Sequence, residues 1–281
     1  TMSIPLYISD LDGTLLRPDG TLSDYSRDGL NRLIADGMHF TVATARSVVS
    51  IRQLLQGLQL SLPVVNLNGA LLSDLHSGRH QSIQAISPET AELVFDQIRS
   101  NGLLPFISTC DPDSDHLYYH AIENAGMQWY LDDRLGADDN RLEQIEDLRL
   151  ALADPVLCFT VIDHRRTLLQ DVRARLEDCF PGQLQIYLFG NSYSDVGDTW
   201  LTIGDAQATK DRGIRQLLAQ GGYAIDGLTV FGDSDNDVEM FRLAPRAIAT
   251  ANASEEIRTL ATEIIGRNSE DSVVRYLHGQ Y

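Results

Sequence analysis

Two acidic clusters at opposite ends of the chain each follow directly on a short apolar run. Asp10 and Asp12 come after residues 5–9, and the cluster at 233–237 comes after residues 228–231 and a glycine. Short apolar runs rich in branched and aromatic residues predict buried β-strands. Because the carboxyl ends of parallel strands line the ligand crevice of an open α/β sheet, the two clusters are expected to meet there. The two ends of the chain are therefore predicted to build one sheet.

The residues around these clusters alternate between strand and helix patterns, which argues for right-handed crossovers and a parallel sheet. The predicted elements are a helix with Ser23 as N-cap and Gly37 beyond its end, a strand at 40–43, a helix at 48–58, a strand at 63–67, a helix at 210–219, a strand at 228–231, a helix at 237–243, a strand at 247–249 and a helix after Ser254. We predict an α/β fold with a doubly wound, Rossmann-like core domain.

The middle of the chain has a different pattern and predicts an inserted α/β unit. Its predicted helices and strands are helices at 88–100, 140–152 and 166–179 and strands at 103–108, 156–162 and 184–189. We therefore assign residues 1–83 and 203–281 to the core domain and residues 84–202 to the inserted domain.

Composition limits the classes of partner. The 281 residues are 43% hydrophobic, enough for a sizeable core, and the formal net charge is −18. Such a charge repels nucleic acids and anionic membranes, so a phosphate site here must be made locally positive. No apolar run approaches the roughly 18 residues of a membrane span, and no signal peptide is visible. We expect a cytoplasmic protein, a monomer or weak homodimer, with no nucleic-acid or membrane partner.

The pair Asp10 and Asp12 predicts nucleophilic chemistry assisted by a metal. Two carboxylates this close repel each other, and a bound cation relieves that repulsion. Mg²⁺ suits the site because it prefers hard oxygen ligands. With the cation bound, Asp10 stays anionic and can attack phosphorus, while Asp12 can protonate the leaving oxygen and later deprotonate water.

Three further positions predict the rest of a phosphate site. Thr44 follows the second strand, where its hydroxyl can donate to a phosphate oxygen or merely cap a helix. Lys210 begins a predicted helix, where an ammonium and N-terminal amides favour an anion. Asp233 at a strand tip is the best candidate metal ligand, and Asp237, one helical turn on, can hold a metal-bound water or Lys210.

Together these clusters resemble the haloacid dehalogenase superfamily, in particular its Cof-type phosphatases with a large inserted cap. The matching segments are Asp10-Leu-Asp12-Gly-Thr14-Leu-Leu, Ala43-Thr44-Ala45-Arg46, Asn68-Gly69-Ala70, Lys210 and Gly232-Asp233-Ser-Asp-Asn236-Asp237-Val-Glu-Met240. They occur in the family's order at both ends of the chain.

The resemblance implies an aspartyl-phosphate intermediate on Asp10, with Mg²⁺ held by Asp10, the backbone carbonyl of Asp12 and Asp233, and Asp237 behind them. It also implies a flap at residues 15–22 and an inserted cap that selects a small phosphorylated metabolite. The phosphate- and substrate-binding set would be Thr44, Ala45, Arg46, Asn68, Gly69, Lys210 and Asn236. Arg46 either touches the substrate or pairs with an acidic residue of the site.

The chain departs from the family pattern at two places. Ala45 stands where the family usually has glycine, and the stretch from Thr202 to Lys210 lacks the family's usual Glu-Ile-x-Pro-x-Gly-Val-x-Lys pattern, with Asp205 and Gln207 in it. These changes alter the chemistry of the hinge from cap to core and remove no catalytic residue.

The leading hypothesis is a Mg²⁺-dependent phosphatase, with sugar phosphates favoured. The alternatives are a sugar phosphomutase and a sugar-phosphate sensor without turnover. Dehalogenation is disfavoured because it needs neither Asp12 nor Mg²⁺. Aromatic and histidine residues in the cap either line the substrate or belong to its core and surface: His116, Tyr118, Tyr119, His120, Trp129 and Tyr130.

Overall fold

The computed structural model describes residues 4–111, 114–137, 139–190 and 197–279. Contacts divide the chain into two compact units, residues 1–82 with 209–281, and residues 83–208 between them. The strands and helices are β1 (Leu6–Ser9), α1 (Asp24–Ala35), β2 (His39–Val42), α2 (Val48–Leu54), β3 (Val64–Asn66), β4 (Leu71–Ser73), β5 (His80–Ile83), α3 (Pro88–Ser100), β6 (Pro105–Cys110), β7 (Asp115–Tyr119), α4 (Ala125–Gly136), β8 (Leu142–Gln144), β9 (Val156–Asp163), α5 (Arg166–Cys179), β10 (Leu184–Gly190), β11 (Thr199–Asp205), α6 (Lys210–Gly221), β12 (Leu228–Gly232), α7 (Val238–Leu243), β13 (Arg246–Ala249), α8 (Glu255–Leu260), β14 (Glu263–Ile264) and α9 (Ser272–His278).

The first unit is built on a parallel sheet that brings the two ends of the chain together. Among the described residues, five strands pair in the order β14-β13-β12-β1-β2, and each neighbouring pair is parallel. β1 therefore lies between β2 and β12, although β12 comes more than two hundred residues later. The predicted α/β fold with a parallel core sheet is confirmed.

Helices cover both faces of this sheet, which explains why its strands read as continuous apolar runs. Leu6 and Ile8 of β1 point into a core shared with α6, α7 and α8. Tyr7 points to the opposite face, into a core shared with α1, α2 and α9. Neighbouring residues of β1 alternate between the two cores because side chains alternate along a strand.

The predicted strand at 63–67 exists as β3, but it joins a separate small sheet. β3 pairs antiparallel with β4, and β5 completes the order β3-β4-β5. A single parallel bridge between Ala43 and Val65 connects β3 to the chain just after β2. That bridge holds the end of β2 beside the start of the turn at residues 67–69.

The second unit contains its own mixed sheet, with the order β10-β11-β9-β6-β7-β8 among the described residues. Ile107, Phe159 and Ile203 lie side by side on β6, β9 and β11. They share one hydrophobic core with buried residues of α3 and α5. The inserted α/β unit thus has an interior of its own.

The predicted helix at 140–152 is wrong. The structure has β8 at Leu142–Gln144 and a 3-10 helix at Leu148–Ala153. β8 pairs with β7, and the amide of Ile145 donates to the Tyr119 carbonyl at 2.9 Å, so strand pairing outweighs local helix propensity. The predicted elements also leave out β4, β5, β7, α4, β11, β14 and α9.

Among the described residues, no helix has the length and apolar character needed to cross a membrane.

Candidate active site

β1 carries Asp10 to the carboxyl end of the sheet, where the chain turns sharply. The amide of Asp10 donates to the Phe231 carbonyl at 2.9 Å, and its side chain is buried. Residues 10–16, called here the first loop, then form one irregular turn with Gly13 at φ +77°. A Cβ at Gly13 would lie 2.2 Å from Asp233 Oδ2. Glycine is required because the loop passes against the Asp233 carboxylate in a left-handed conformation.

Lys210 lies at the start of α6 and joins two carboxylates. Its Nζ donates to Asp10 Oδ1 at 2.7 Å and to Asp237 Oδ1 at 2.6 Å, and its side chain has no exposed surface. Burial alone would lower the pKa of Lys210, but the charges of Asp10 and Asp237 outweigh burial and raise it. The ammonium is therefore a fixed positive charge beside Asp10.

Asp233 and Asp237 follow β12 and extend the acidic cluster. Both oxygens of Asp237 accept hydrogen bonds, Oδ1 from Lys210 and Oδ2 from the amides of Asp233 and Ser234 at 2.9 and 3.1 Å. Asp233 Oδ1 accepts from the hydroxyl of Thr14 at 2.9 Å. Burial, with the nearby charge of Asp237, raises the pKa of Asp233 to about 7.

The same surroundings make ionisation of Asp10 costly. Burial raises the pKa of Asp10 well above the ordinary value, Lys210 opposes the rise, and the carboxylates of Asp237, Asp233 and Asp12 add to it. One lysine does not neutralise this cluster, so a second cation would stabilise its ionised form.

The donor set fits a hard divalent cation. One carboxylate oxygen from each of Asp10, Asp233 and Asp237 lies within 4.8 Å of the others. Oxygen ligands of this kind, with room for water, are those that Mg²⁺ prefers. Because Asp237 already accepts three hydrogen bonds, Asp10 and Asp233 are the better placed ligands, and Asp237 suits a supporting position behind them.

The carboxylate of Asp12 pairs with Arg46. Arg46 Nε and Nη2 each donate to one oxygen of Asp12 at 2.7 Å. Arg46 Nη1 also donates to Ser50 Oγ at 3.2 Å, which connects the pair to α2. Of the two roles that the sequence left open for Arg46, the structure shows the pairing with an acidic residue. A bidentate pair fixes the orientation of the Asp12 carboxylate.

The turns after β2 and β3 carry the remaining predicted residues. Thr44 is buried, and Ser47 rather than Thr44 caps α2. The Thr44 hydroxyl accepts from the amide of Arg46 at 3.2 Å, and its carbonyl accepts from the amide of Asn68 at 2.9 Å. The alternative of a helix cap for Thr44 is therefore wrong.

Asn68 and Gly69 connect the turn after β3 to the other loops. Asn68 Oδ1 accepts from Asn236 Nδ2 at 3.0 Å, and Asn68 itself has φ +55°. Gly69 has φ +97°, and a Cβ there would lie 2.1 Å from the carbonyl of Thr209, the residue before Lys210. Asn68, Asn236 and Lys210 are thus brought to one edge. Ala45, in contrast, has an exposed side chain.

Three polar residues near the C-terminus also contact the first loop and were missed by the sequence analysis. Asn252 Nδ2 and Thr250 Oγ1 donate to the Gly13 carbonyl at 2.8 and 3.3 Å. Asn268 Nδ2 donates to the Leu16 carbonyl at 2.9 Å. The available signal was the position of Thr250 and Asn252 just after the predicted strand at 247–249.

The cap residues singled out in the sequence have structural partners within the second unit. Tyr130 is buried and its ring contacts Phe106 and Trp200. His116 lies between Glu143 and Asp111, and burial opposes but does not cancel the rise in its pKa from these carboxylates. Tyr130 therefore belongs to the core of that unit, and His116 is held by two carboxylates of the same unit.

The chain resembles known proteins in sequence and in fold. A family model for haloacid dehalogenase-like hydrolases matches residues 7–277. The chain is 25% identical over 279 residues to a 5-amino-6-(5-phospho-D-ribitylamino)uracil phosphatase of Bacillus subtilis, with 95% of this chain and 94% of the relative covered. It is 22% identical over 278 residues to pyridoxal phosphate phosphatase of Escherichia coli, with 96% of each covered. A haloacid dehalogenase-like hydrolase from Bacteroides thetaiotaomicron has a similar crystal structure, with TM-score 0.81, 20% identity and 99% of both chains covered.

Proposed function

The chain belongs to the haloacid dehalogenase-like hydrolases, and we propose that it hydrolyses sugar and sugar-alcohol phosphates through a phosphoryl group carried on Asp10. It is a phosphatase of the Cof type that acts on small phosphorylated metabolites. The observation that carries the proposal is the buried Lys210, which joins Asp10 to Asp237 beside Asp233. A fixed ammonium next to a carboxylate nucleophile stabilises the charge that a phosphoryl group brings.

In the first half of the reaction, a carboxylate oxygen of Asp10 attacks phosphorus and the bond to the leaving oxygen breaks. Both oxygens of Asp12 accept from Arg46 in the structure, so one of them must give up that bond and take up a proton before the reaction. Asp12 then donates this proton to the leaving oxygen, and the alcohol leaves neutral. Lys210 favours the anionic form of Asp10 before attack and faces the phosphoryl group afterwards. Asp10, the carbonyl of Asp12 and Asp233 would hold Mg²⁺, which supplies charge neutralisation for the phosphate oxygens.

In the second half, Asp12 takes a proton from water, and the water attacks the phosphoryl group on Asp10. The bond between Asp10 and phosphorus breaks, inorganic phosphate leaves, and Asp10 returns as a carboxylate. The Thr44 hydroxyl, which already accepts from the amide of Arg46, keeps its own proton to donate to a phosphate oxygen. Asn68 and Asn236, linked at 3.0 Å, are proposed to border the phosphate beside Thr44.

The substrate class is proposed from the relatives together with the chemistry of the site. The Bacillus subtilis relative is a phosphatase of a phosphoribityl compound, whose phosphate sits on a polyhydroxylated chain. The proposed role of the second unit, residues 83–208, is that of the cap that selects among such substrates. Phosphomonoesters of five- and six-carbon sugars and sugar alcohols are therefore the first compounds to test.

The test is release of inorganic phosphate from an aryl phosphate and from a panel of sugar phosphates, with and without Mg²⁺. Wild type is expected to show Mg²⁺-dependent turnover, and Asp10→Asn is expected to abolish it while leaving the fold intact. Asp226→Asn, on the surface before β12, is the matched control and should retain activity. Absence of Mg²⁺-dependent release across the panel would refute the proposal, and transfer of phosphate to another sugar position would identify a mutase instead.

A further inference from the structure

The turn between β13 and α8 forms hydrogen bonds with both acidic segments of the site, which are the first loop and the residues at the end of β12. The amide of Ser254 donates to the Asp233 carbonyl at 2.9 Å, and the amide of Thr250 donates to the Gly232 carbonyl at 3.4 Å. From the same turn, the side chains of Thr250 and Asn252 donate to the Gly13 carbonyl. One short segment therefore holds the backbone of Asp233 and the backbone that follows Asp12.

The Gly13 carbonyl accepts two side-chain hydrogen bonds from outside the first loop. Asp12 and Gly13 have non-helical backbone angles, so no regular helical ladder forms across them. Gly13 is half-buried and its neighbours Leu11, Thr14 and Leu15 are buried, and a carbonyl in such surroundings is costly to leave without a donor. Of the two side-chain hydrogen bonds to the Gly13 carbonyl, the one from Asn252 Nδ2, at 2.8 Å, is the shorter.

The orientation of the Asn252 amide is fixed by a second asparagine. Asn252 Oδ1 accepts from the amide of Asn268 at 2.9 Å, and Asn268 Nδ2 donates to the Leu16 carbonyl at 2.9 Å. The two side chains thus connect the carbonyls of Gly13 and Leu16, which lie on either side of the turn. An aspartate at 252 would keep the shape but place an oxygen against the Gly13 carbonyl.

We propose that Asn252 is a positioning residue that fixes the first loop against Asp233 and thereby sets the affinity of the site for Mg²⁺. The inference rests on the proposed function, since Asp10, the Asp12 carbonyl and Asp233 are the proposed ligands. Gly13 lies between the two sides, with the Asp233 carboxylate against its Cα and Asn252 on its carbonyl. Loss of the Asn252 donor frees the Gly13–Thr14 peptide, and rotation about Gly13 then shifts the preceding peptide, which carries the proposed Asp12 carbonyl ligand. Residues that orient metal ligands typically change affinity by ~10–100-fold.

The experiment measures Mg²⁺ binding by isothermal titration calorimetry on the full chain without substrate. Asn252→Ala is expected to weaken Mg²⁺ binding by ~10–100-fold. Asn252→Asp distinguishes an effect of charge from an effect of positioning. An added carboxylate near the cation would by its charge tighten Mg²⁺ binding, whereas loss of the amide donor would weaken Mg²⁺ binding. We expect weaker binding. Circular dichroism and thermal unfolding check that each variant is folded. If Asn252→Ala does not fold, Asn252→Asp and Asn268→Ala carry the test, and Asn268→Ala is expected to weaken binding by a smaller factor.

Asn31 supplies a matched control because it makes the same pair of contacts elsewhere. Its Nδ2 donates to the Gly57 carbonyl at 2.9 Å and its Oδ1 accepts from the amide of Gln59 at 2.8 Å. Asn31→Ala should leave Mg²⁺ affinity unchanged. Unchanged affinity in folded Asn252→Ala, or tighter binding in Asn252→Asp, would overturn the inference. Absence of Mg²⁺ binding by wild type would instead refute the proposed function.

Discussion

Lys210 is the only lysine in the sequence, and it is buried between two carboxylates rather than exposed on the surface, where most lysines lie. The other 21 lysine-or-arginine positions are all arginines. An ammonium is a compact point charge, and it fits where its side chain has no exposed surface and Nζ lies 2.7 and 2.6 Å from two oxygens. The wide planar guanidinium of an arginine would not fit the same enclosed position.

Because the sequence has no other lysine, the state of Lys210 can be tested directly by amine labelling. Because the pKa of Lys210 is raised above its ordinary value of 10.5, its stabilising contribution is fully present below pH 10.5 and is lost only as pH rises through the higher folded value. An amine-selective acylating reagent at pH 9 is therefore expected to label only the α-amino group of the native protein. Denaturant should add one further label at Lys210, measured by mass spectrometry of peptides. Labelling of native Lys210 at the rate of a free lysine would contradict the burial and pairing described here.

The pair between Arg46 and Asp12 predicts an effect that depends on the leaving group. Arg46→Met frees the Asp12 carboxylate to rotate, which should impair proton donation more than phosphorus attack. The alkoxide of an alkyl phosphate needs that proton in order to leave, whereas nitrophenolate is a good leaving group without it. We expect kcat/KM to fall by ~10²-fold or more for the alkyl ester and by a smaller factor for the aryl ester. Arg242→Met, which removes an exposed pair with Glu239, is the control. Equal losses on both esters would show that Arg46 does not act through Asp12.

At the level of elements, helices with clear start signals were predicted well. α1 begins after Ser23, whose hydroxyl accepts from the Ser26 amide, and α8 begins after Ser254 in the same way. α3 and α5 have the predicted ranges because each presents an apolar face to its own sheet. The segment at 140–152 failed because pairing with β7 decides its conformation, and that partner lies more than twenty residues away.

Asp271 joins the start of α9 to the start of α1 and to Arg17 in the loop before it, and its loss should destabilise the first unit. It precedes α9 with φ +55°, and its carboxylate accepts from Arg17 Nη2 and Ser23 Oγ at 2.6 Å and from Ser26 Oγ at 3.1 Å. Burial acts to raise the pKa of Asp271, but the hydrogen bonds from Arg17, Ser23 and Ser26 outweigh it and lower the pKa. Asparagine tolerates the left-handed backbone, so Asp271→Asn isolates the charge.

We expect Asp271→Asn to lower the free energy of unfolding by about 1–3 kcal/mol at pH 7. Because the folded pKa is depressed, the contribution is present above the ordinary value of 3.8 and is lost as pH falls through the folded value. The difference between wild type and variant should therefore shrink below pH 4 in urea unfolding experiments. Asp226→Asn on the surface should show no such pH-dependent difference.

At the scale of the whole molecule, the two units have separate interiors and separate buried charges. In the second unit, Arg141 donates to both oxygens of Asp139 at 2.8 and 2.5 Å, and both side chains are almost fully buried. Burial would raise the pKa of Asp139, but the hydrogen bonds and charge of Arg141 lower it. Both tryptophans of the chain, Trp129 and Trp200, also belong to this unit, so tryptophan fluorescence reports its unfolding.

Arg141→Met is expected to destabilise the second unit by about 3–5 kcal/mol at pH 7, because buried Asp139 loses both guanidinium hydrogen bonds and keeps, among the described residues, only the amide of residue 141 and Arg134 Nε, 4.0 Å away. The loss should diminish as pH falls below 3.8 through the depressed pKa of Asp139, where wild type loses the same contribution. Urea unfolding followed by tryptophan fluorescence measures both effects. Arg173→Met, which removes an exposed pair with Glu177, should change stability by less than about 0.5 kcal/mol. A neutral Arg141→Met variant would show that the pair does not stabilise this unit.

The sequence by itself determined the α/β fold and drew attention to Asp10, Asp12, Lys210 and Asp233, because strand patterns and motif spacing are local properties of the chain. It could not determine that Asp12 pairs with Arg46 or that Lys210 joins Asp10 to Asp237. It also gave no reason to connect Asn252 and Asn268 with Gly13. Those contacts depend on the order of strands in the sheet, which places β12 and β13 beside β1, and on which face each side chain takes. Only the tertiary structure decides them, since distance along the chain carries no information about distance across a sheet.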